Sequence, residues 1–261
     1  MRSVTASSGP RPAFGRETSG RGGIGGQTTS HSGLPLSRAA GRPFVLRQTR
    51  TLFARLVAKR LIDIIVSVVA LVLLSPLLLC IAATIRLGDG GSILFRQQRE
   101  GLKGQLFWLL KFRTWREDDC DATGISQPSD DDPRLTPIGR FLRRTSLDEL
   151  PQLLNVLRGE MSLIGPRPHV PGMRAGGTSY RQLVPYYAQR LQMKPGLTGW
   201  AQVNGLRGPT GDPWLARRRI DHDLAYIQNF SLWLDLKILA RTLFGGFLMR
   251  PEQVMTRSVF R

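Results

Sequence analysis

The sequence predicts a predominantly helical α+β protein that has one membrane-embedded helix and a small β-hairpin. Three observations support this fold class. A run of 22 uncharged, mostly apolar residues extends from Ile64 to Ile85. Helical periodicity recurs through most of the chain that follows it. Only one pair of short segments, close after the apolar run, has the composition of strands around a turn.

Residues 1 to 50 are predicted to form a disordered basic tail. They are rich in Gly, Ser, Thr and Arg and show no apolar periodicity, a composition that cannot bury enough surface to fold. Residues 1 to 60 hold 11 Lys or Arg and one acidic residue, Glu17, in a chain whose formal charge is +18. Such a charge implies an anionic partner. Nucleic acid is not expected, because no reading helix or aromatic-lined groove is recognisable.

Residues 51–88 are predicted to be embedded in a membrane. Basic residues flank the apolar run on both sides, which by the positive-inside rule places both ends in the cytoplasm. Ser75 and Pro76 lie in its middle, where proline removes a helical hydrogen bond and favours a kink. From the residues alone, a re-entrant hairpin and a kinked spanning helix both remain open.

Residues 89–261 are predicted to form the remaining domain. Ser92–Arg96 and Gln105–Phe112 are expected to pair as a hairpin around Gly101 and Gly104. The segment that begins at Leu232 is amphipathic, and it either lies on the membrane surface or closes the core. Helical patterns are predicted at Ile138–Arg144, Leu150–Leu157, Gln182–Gln192, Asp221–Gln228 and Leu232–Met249.

Two adjacent carboxylates, Asp148 and Glu149, are the first candidates for chemistry. Ser146 and Glu149 have the spacing of a capping box, which places the pair at a helix start. The helix dipole and the nearby Arg143 would keep Asp148 ionised, and an ionised aspartate can attack phosphorus. The pair could also share a divalent cation with a diphosphate. The structural alternative is that these residues only cap the helix.

Two further motifs offer cations for a phosphate group. In Gly165-Pro-Arg-Pro168 the prolines on either side fix the direction of Arg167, which suits bidentate phosphate binding. Lys111 and Arg113 alternate around Phe112 at the end of a predicted strand and are expected to point the same way. They either line an anionic pocket or form a solvated face.

From about Lys59 to its C-terminus the chain resembles the bacterial sugar transferases called monotopic polyprenyl-phosphate hexose-1-phosphate transferases. The resemblance is highly specific because several separate motifs match together. The matching stretches are KRLIDIIVSVVALVLLSPLLL, KFRT at 111 to 114, DPRLTPIGRFLRRTSLDELPQLLNVLRGEMSLIGPRP at 132 to 168, PGLTGWAQVNGLRG at 195 to 208, and SLWLDLKIL near the end.

The resemblance assigns roles to the site residues. It implies that Asp148 attacks the β-phosphate of a UDP-sugar and holds a covalent phosphosugar, while Glu149 assists and helps to organise Mg²⁺. Undecaprenyl phosphate would then take the sugar phosphate. Arg143, Arg167 and Lys111 would hold the substrate phosphates.

The resemblance also implies a location. The Ser75-Pro76 pair would break a re-entrant helix, so that residues 89–261 form a catalytic domain facing the cytoplasm from the bacterial inner membrane. The product would initiate exopolysaccharide or capsule synthesis. The motif at 195 to 208 favours glucose as the sugar, with galactose as the alternative. An inactive membrane scaffold, which would tolerate loss of Asp148, and a homodimer are left open.

Overall fold

The computed structural model describes residues 49–116, 132–208 and 211–245. The predicted tail therefore lies outside the described residues, except for its last two. The helices and strands, in chain order, are α1 (Arg50–Asp89), β1 (Leu94–Glu100), β2 (Leu106–Phe112), α2 (Pro137–Thr145), α3 (Gln152–Arg158), β3 (Ser162–Ile164), β4 (Arg174–Ala175), β5 (Thr178–Ser179), α4 (Tyr180–Leu183), β6 (Gly196–Thr198), α5 (Trp200–Val203), α6 (Pro213–Gln228) and α7 (Leu232–Gly245). The predicted class, mainly helical with little sheet, is confirmed.

Helix α1 packs against the rest of the protein through its first part and through its last part. Its buried residues lie four or fourteen positions apart, close to one or four helical turns, which places them on one stripe of the helix. The stripe comprises Lys59, Asp63, Ser67, Ile81 and Ile85. Only 11% of its most apolar 18-residue window is buried, so the remaining apolar surface faces outward. By length and composition this helix could cross a membrane, as the sequence predicts.

The chain reversal predicted at Ser75 and Pro76 is not confirmed. Helix α1 is assigned continuously over 40 residues, with Pro76 inside it. In a regular helix residue 76 would donate to the carbonyl of Val72, and proline has no N–H for this bond. The Ser75 hydroxyl donates to that same carbonyl at 2.8 Å. Ser75 therefore supplies the hydrogen bond that Pro76 cannot make.

A buried ion pair ties the start of α1 to α7. The Lys59 ammonium lies 2.7 Å from Asp235 Oδ2. The Tyr226 hydroxyl, from α6, donates to Asp235 Oδ1 at 2.7 Å. All three side chains are buried, so Asp235 depends on Lys59 and Tyr226 for its polar partners.

Lys59→Met is expected to lower the free energy of unfolding by about 3–5 kcal/mol, because it leaves Asp235 buried without its cation. The change would be measured as unfolding by denaturant in detergent. Arg55→Met, one turn earlier on an exposed position, is the matched control and should have little effect. A Lys59→Met protein as stable as this control would contradict the prediction.

The next two polar residues of α1 contact the main chain of the domain. Arg60 donates to the carbonyls of Val156 and Leu157, at 2.6 and 2.9 Å, where α3 ends. Asp63 accepts a hydrogen bond from the N–H of Leu163 at 3.0 Å. The last carbonyls of α3 and the Leu163 N–H in β3 thereby gain hydrogen-bond partners that their own elements do not supply.

The predicted hairpin is confirmed as the antiparallel pair β1 and β2. Asn155 of α3 binds β2: Leu110 N–H donates to Asn155 Oδ1 at 3.0 Å, and Asn155 Nδ2 donates to the Trp108 carbonyl at 2.7 Å. This contact docks α3 against the hairpin. It brings the turn that precedes α3 close to the end of β2.

Two helix predictions need correction. The single helix expected over Gln182–Gln192 is wrong, because α4 ends at Leu183 and a 3₁₀ helix runs from Tyr187 to Gln192. Pro185 lies between them and cannot donate within a continuing helix. Helix α6 begins at Pro213, eight residues before the predicted start, where the Asp212 side chain caps Trp214 N–H at 2.8 Å.

Helix α7 has two apolar faces. Leu234 and Ile238 are buried in the core, while Trp233 and Leu236 are 64% and 55% exposed. Further along, Leu243 and Phe244 are also exposed. The helix therefore closes the core, which is one of the two alternatives that the sequence left open, and it also presents apolar side chains outward. Its placement on a membrane surface stays a prediction.

Candidate active site

Asp148 and Glu149 lie in a 3₁₀ turn, Leu147–Glu149, between α2 and α3. The predicted capping box is wrong. Ser146 ends α2 in the left-handed conformation, with φ 57°, and its backbone N–H donates to the carbonyls of Arg143 and Leu142. An N-cap needs extended backbone, which this residue does not have. The carboxylates therefore sit at a tight junction between two helices.

Glu149 and Arg167 form a forked ion pair. The Arg167 guanidinium donates to the two carboxylate oxygens of Glu149 at 2.6 and 3.4 Å. Burial raises the pKa of Glu149, but the charge and hydrogen bonds of Arg167 outweigh it, and the pKa lies below its ordinary value. The charge of Glu149 in turn raises the pKa of Arg167. Both partners are therefore charged at neutral pH.

Asp148 is more buried than its neighbour, with 8% of its surface exposed. Burial, followed by the negative charge of Glu149, raises the pKa of Asp148 to about 6. The charges of Lys111, Arg143 and Arg167 oppose this rise. The direction is opposite to the one expected from a helix dipole, because desolvation is the larger effect. At pH 7 the carboxylate is still mostly ionised.

Lys111 lies at the end of β2, facing the carboxylates. Burial and the charge of Arg99 lower the pKa of Lys111 to about 8, while Asp148 and Glu149 oppose this shift. Arg143, in the last turn of α2, is half-buried, and its positive charge acts to lower the pKa of Asp148. The structure thus brings Lys111, Arg143 and Arg167 together around the pair.

Arg113 binds main-chain carbonyls beside the end of the hairpin. It follows the last residue of β2, so the strand alternation expected for it does not apply. Its side chain is buried and donates to the carbonyls of Ser92 and Trp115, at 2.6 and 2.9 Å. These bonds fix the exit of the hairpin. A role in substrate binding for Arg113 stays a prediction.

Two arginines near the pair were missed in the sequence. Burial and the charge of Arg167 lower the pKa of Arg99 to about 10, and Glu149 opposes the shift. Burial and Arg167 likewise lower the pKa of Arg207, again against Glu149. The charge of Glu149 therefore acts on both arginines. Arg207 stood inside a recognised motif, whereas Arg99 showed no local signal of a role beyond its charge.

The loop that carries Arg167 packs closely against a second loop at positions where both have glycine. Strands β3 and β6 are parallel, and Gly165 follows β3. A Cβ atom on Gly196 would lie 2.0 Å from Gly165 N, and one on Gly199 would lie 2.1 Å from Gly165 O. Any side chain at these positions would force the two backbones apart. The glycines of the two motifs thus allow them to pack together.

The carboxylate pair is the part of the site that could hold a divalent cation. The described ranges 49–116, 132–208 and 211–245 contain no group of three or more His, Cys, Asp or Glu side chains placed for a metal ion. Mg²⁺ is often held by one or two carboxylates together with substrate phosphates. Asp148 and Glu149 supply hard oxygen donors of that kind. The donor set fits a cation that a diphosphate would share.

Comparison with known proteins identifies the family. The family described as bacterial sugar transferase matches residues 54–248. The chain belongs to this family. The sugar transferase is 52% identical over 187 residues to the exopolysaccharide production protein PSS of Rhizobium leguminosarum bv. phaseoli, covering 72% of this chain and 94% of that protein.

Two similar relatives carry a name that states an activity. Both are called UDP-glucose:undecaprenyl-phosphate glucose-1-phosphate transferase. The one from Xanthomonas campestris pv. campestris is 49% identical over 71% of the sugar transferase, and the one from Escherichia coli (strain K12) is 46% identical over 73%. The matches cover 38% and 40% of these two longer proteins.

Proposed function

We propose that the sugar transferase moves a hexose 1-phosphate, with glucose as the preferred sugar, from a UDP-sugar to undecaprenyl phosphate. The observation that carries the proposal is the environment of Asp148. This carboxylate is buried, mostly ionised at pH 7, and faced by the cations Lys111, Arg143 and Arg167. A nucleophile surrounded by positive charge suits attack on a diphosphate, because the transferred phosphoryl group carries negative charge on its equatorial oxygens.

The first step joins the sugar phosphate to the protein. A carboxylate oxygen of Asp148 attacks the β-phosphorus of the UDP-sugar, and the bond from that phosphorus to the bridging oxygen breaks. UMP leaves with the bonding electrons, and the hexose 1-phosphate remains bound to Asp148 through an acyl phosphate bond. Arg167 and Lys111 neutralise charge on the phosphoryl oxygens. Glu149 keeps the Arg167 side chain in position through the forked ion pair.

The second step releases the product. An oxygen of undecaprenyl phosphate attacks the same phosphorus, and the bond to Asp148 breaks, which restores the free carboxylate. The product is a sugar linked to the lipid through a diphosphate. Because UMP leaves before the lipid phosphate attacks the covalent intermediate, the reaction follows a ping-pong order.

A magnesium ion is part of the proposal. Asp148 and Glu149 would hold it together with the substrate diphosphate, and it would supply charge neutralisation at the phosphate oxygens. Since Glu149 already binds Arg167, its oxygens are shared between the guanidinium and the cation.

The exposed apolar side chains of α1 and α7 support a location in the cytoplasmic membrane of a bacterium. Both ends of α1 contact the same domain, through Lys59 near its start and Ile85 near its end. A helix of 40 residues is about 60 Å long, roughly twice the hydrocarbon core. We infer that α1 enters and leaves on the cytoplasmic side and bends at Pro76 in the bilayer. The exposed Trp233 and Leu236 of α7 would rest at the interface.

The test is an assay of UMP release by the purified sugar transferase with undecaprenyl phosphate, Mg²⁺ and a panel of UDP-glucose, UDP-galactose and UDP-N-acetylgalactosamine. We expect UMP from UDP-glucose at the highest kcat/KM, with a lipid-linked product that depends on undecaprenyl phosphate. Preference for UDP-galactose would select the galactose alternative. A folded preparation that releases no UMP from any of them would refute the proposal in favour of a scaffold.

The alkaline side of the pH profile should depend on Lys111. Its pKa is lowered to about 8, so the ammonium is charged below this pH and loses its charge as the pH rises through it. We expect kcat/KM for the UDP-sugar to fall about tenfold per pH unit above that value. Lys111→Arg keeps the charge and should remove the fall, whereas Lys237→Arg, at an exposed position, should leave it unchanged. A fall that persists in Lys111→Arg would contradict the assignment.

A further inference from the structure

The loop that carries Arg167 is held by its carbonyl groups. Pro166 and Pro168 have no N–H, so the loop lacks two of its ordinary donors. Its carbonyls must then find donors elsewhere if they are buried. The carbonyl of Pro166 accepts from Gly196 N–H at 2.9 Å, and that of His169 accepts from Glu100 N–H at 2.9 Å.

The two carbonyls in between accept from arginine side chains. Arg190 donates from its guanidinium to the carbonyl of Arg167 itself. Arg99 donates to the carbonyl of Pro168 at 3.2 Å. Four successive carbonyls, from Pro166 to His169, are therefore fixed. Two of the four donors are cations that come from distant parts of the chain.

Arg190 is itself held in place by a carboxylate. Its Nε and one terminal nitrogen lie 3.0 and 2.8 Å from Asp223 Oδ2, and both side chains are almost fully buried. A buried ion pair adds little net stability, because desolvation offsets most of the attraction. Its geometry, however, is strongly directional. The pair can therefore fix the position of the Arg167 main chain, because it orients the guanidinium that binds the Arg167 carbonyl.

We propose that Arg190, oriented by Asp223, and Arg99 are positioning residues that act through Arg167. They fix the carbonyls of Arg167 and Pro168, which belong to the two peptide bonds on either side of Pro168. The guanidinium of Arg167 can then meet Glu149 and the substrate diphosphate without reorganisation. A misplacement of about 1 Å in such a group can cost on the order of 10²-fold in rate. This inference rests on the proposed transferase function.

The test is a set of double-mutant cycles measured as kcat/KM for UDP-glucose. Arg190→Lys and Arg99→Lys keep the charge but lose the planar fork. We expect each to lower kcat/KM by about 10-fold to 10²-fold in the wild-type background, and by less than about threefold when Arg167 is already Ala. Equal losses in the two backgrounds would overturn the proposal. Ile238→Val, a core substitution, is the control and should have the same effect in both.

A second measurement does not depend on catalysis. Hydrogen exchange in peptides covering residues 164–171 should be faster in Arg190→Lys and Arg99→Lys than in the wild type, and unchanged in Ile238→Val. Unchanged exchange in both lysine variants would overturn the positioning role even if their activity falls. Wild-type protein without transferase activity would refute the proposed function, and the exchange data would then decide the positioning role alone. If Arg190→Lys does not fold, Arg99→Lys provides both measurements.

Discussion

Asp148→Asn is expected to abolish turnover, lowering UMP release in the presence of undecaprenyl phosphate by at least about 10³-fold. Removal of a covalent nucleophile leaves only the contribution of substrate binding and electrostatics. The substitution keeps the size of the side chain and removes the carboxylate oxygen that forms the bond to phosphorus. The measurement is the initial rate of UMP release from UDP-glucose at pH 7.

The same variant tests the covalent step. With UDP-glucose labelled at the β-phosphate, the wild-type protein should retain the label as an aspartyl phosphate in the absence of lipid acceptor, and Asp148→Asn should retain none. Asp221→Asn, at a half-buried aspartate that accepts from the Tyr186 hydroxyl, is the matched control and should label normally. Label retained by Asp148→Asn would assign the nucleophile to another residue.

Arg167→Ala should give the second large effect, a fall of about 10² to 10³-fold in kcat/KM for UDP-glucose. Loss of one preorganised donor to a developing charge has this magnitude in other enzymes. The variant also leaves Glu149 without its partner, and the pKa of that carboxylate should rise because its main stabilising charge is gone.

Arg167→Lys separates the two contributions of this arginine. Lysine restores a positive charge but cannot donate through a planar fork, so we expect only partial recovery. Arg174→Ala, at an exposed arginine on β4, should leave kcat/KM unchanged. A loss below about threefold in Arg167→Ala would show that Arg167 does not contact the reacting phosphate.

Local signals in the sequence predicted most of the secondary structure. The 22-residue uncharged run predicted α1, and the turn glycines predicted the hairpin. The start of α6 could also have been predicted, because Asp212 and Pro213 are the N-cap and N1 residues typical of a helix start. The predicted start, Asp221, lies eight residues too late. The parallel pair of β3 and β6 could not be predicted, since each strand has only three residues and its partner is distant in the sequence.

What the sequence by itself determined is which side chains make up the candidate site. The adjacent carboxylates Asp148 and Glu149, the proline-flanked Arg167 and the cation Lys111 follow from residue type and spacing, and the structure brings them together.

Only the tertiary structure decided how these groups are held and charged. Burial sets the direction of the pKa of Asp148, and burial depends on packing rather than on neighbouring residues. Arg113 was expected at the site but binds the carbonyls of the hairpin exit. Arg99 and Arg190 reach the loop of Arg167 from positions 68 and 23 residues away. Contacts of this kind leave no local pattern, because nothing in the spacing of residues fixes which distant side chain meets a given carbonyl.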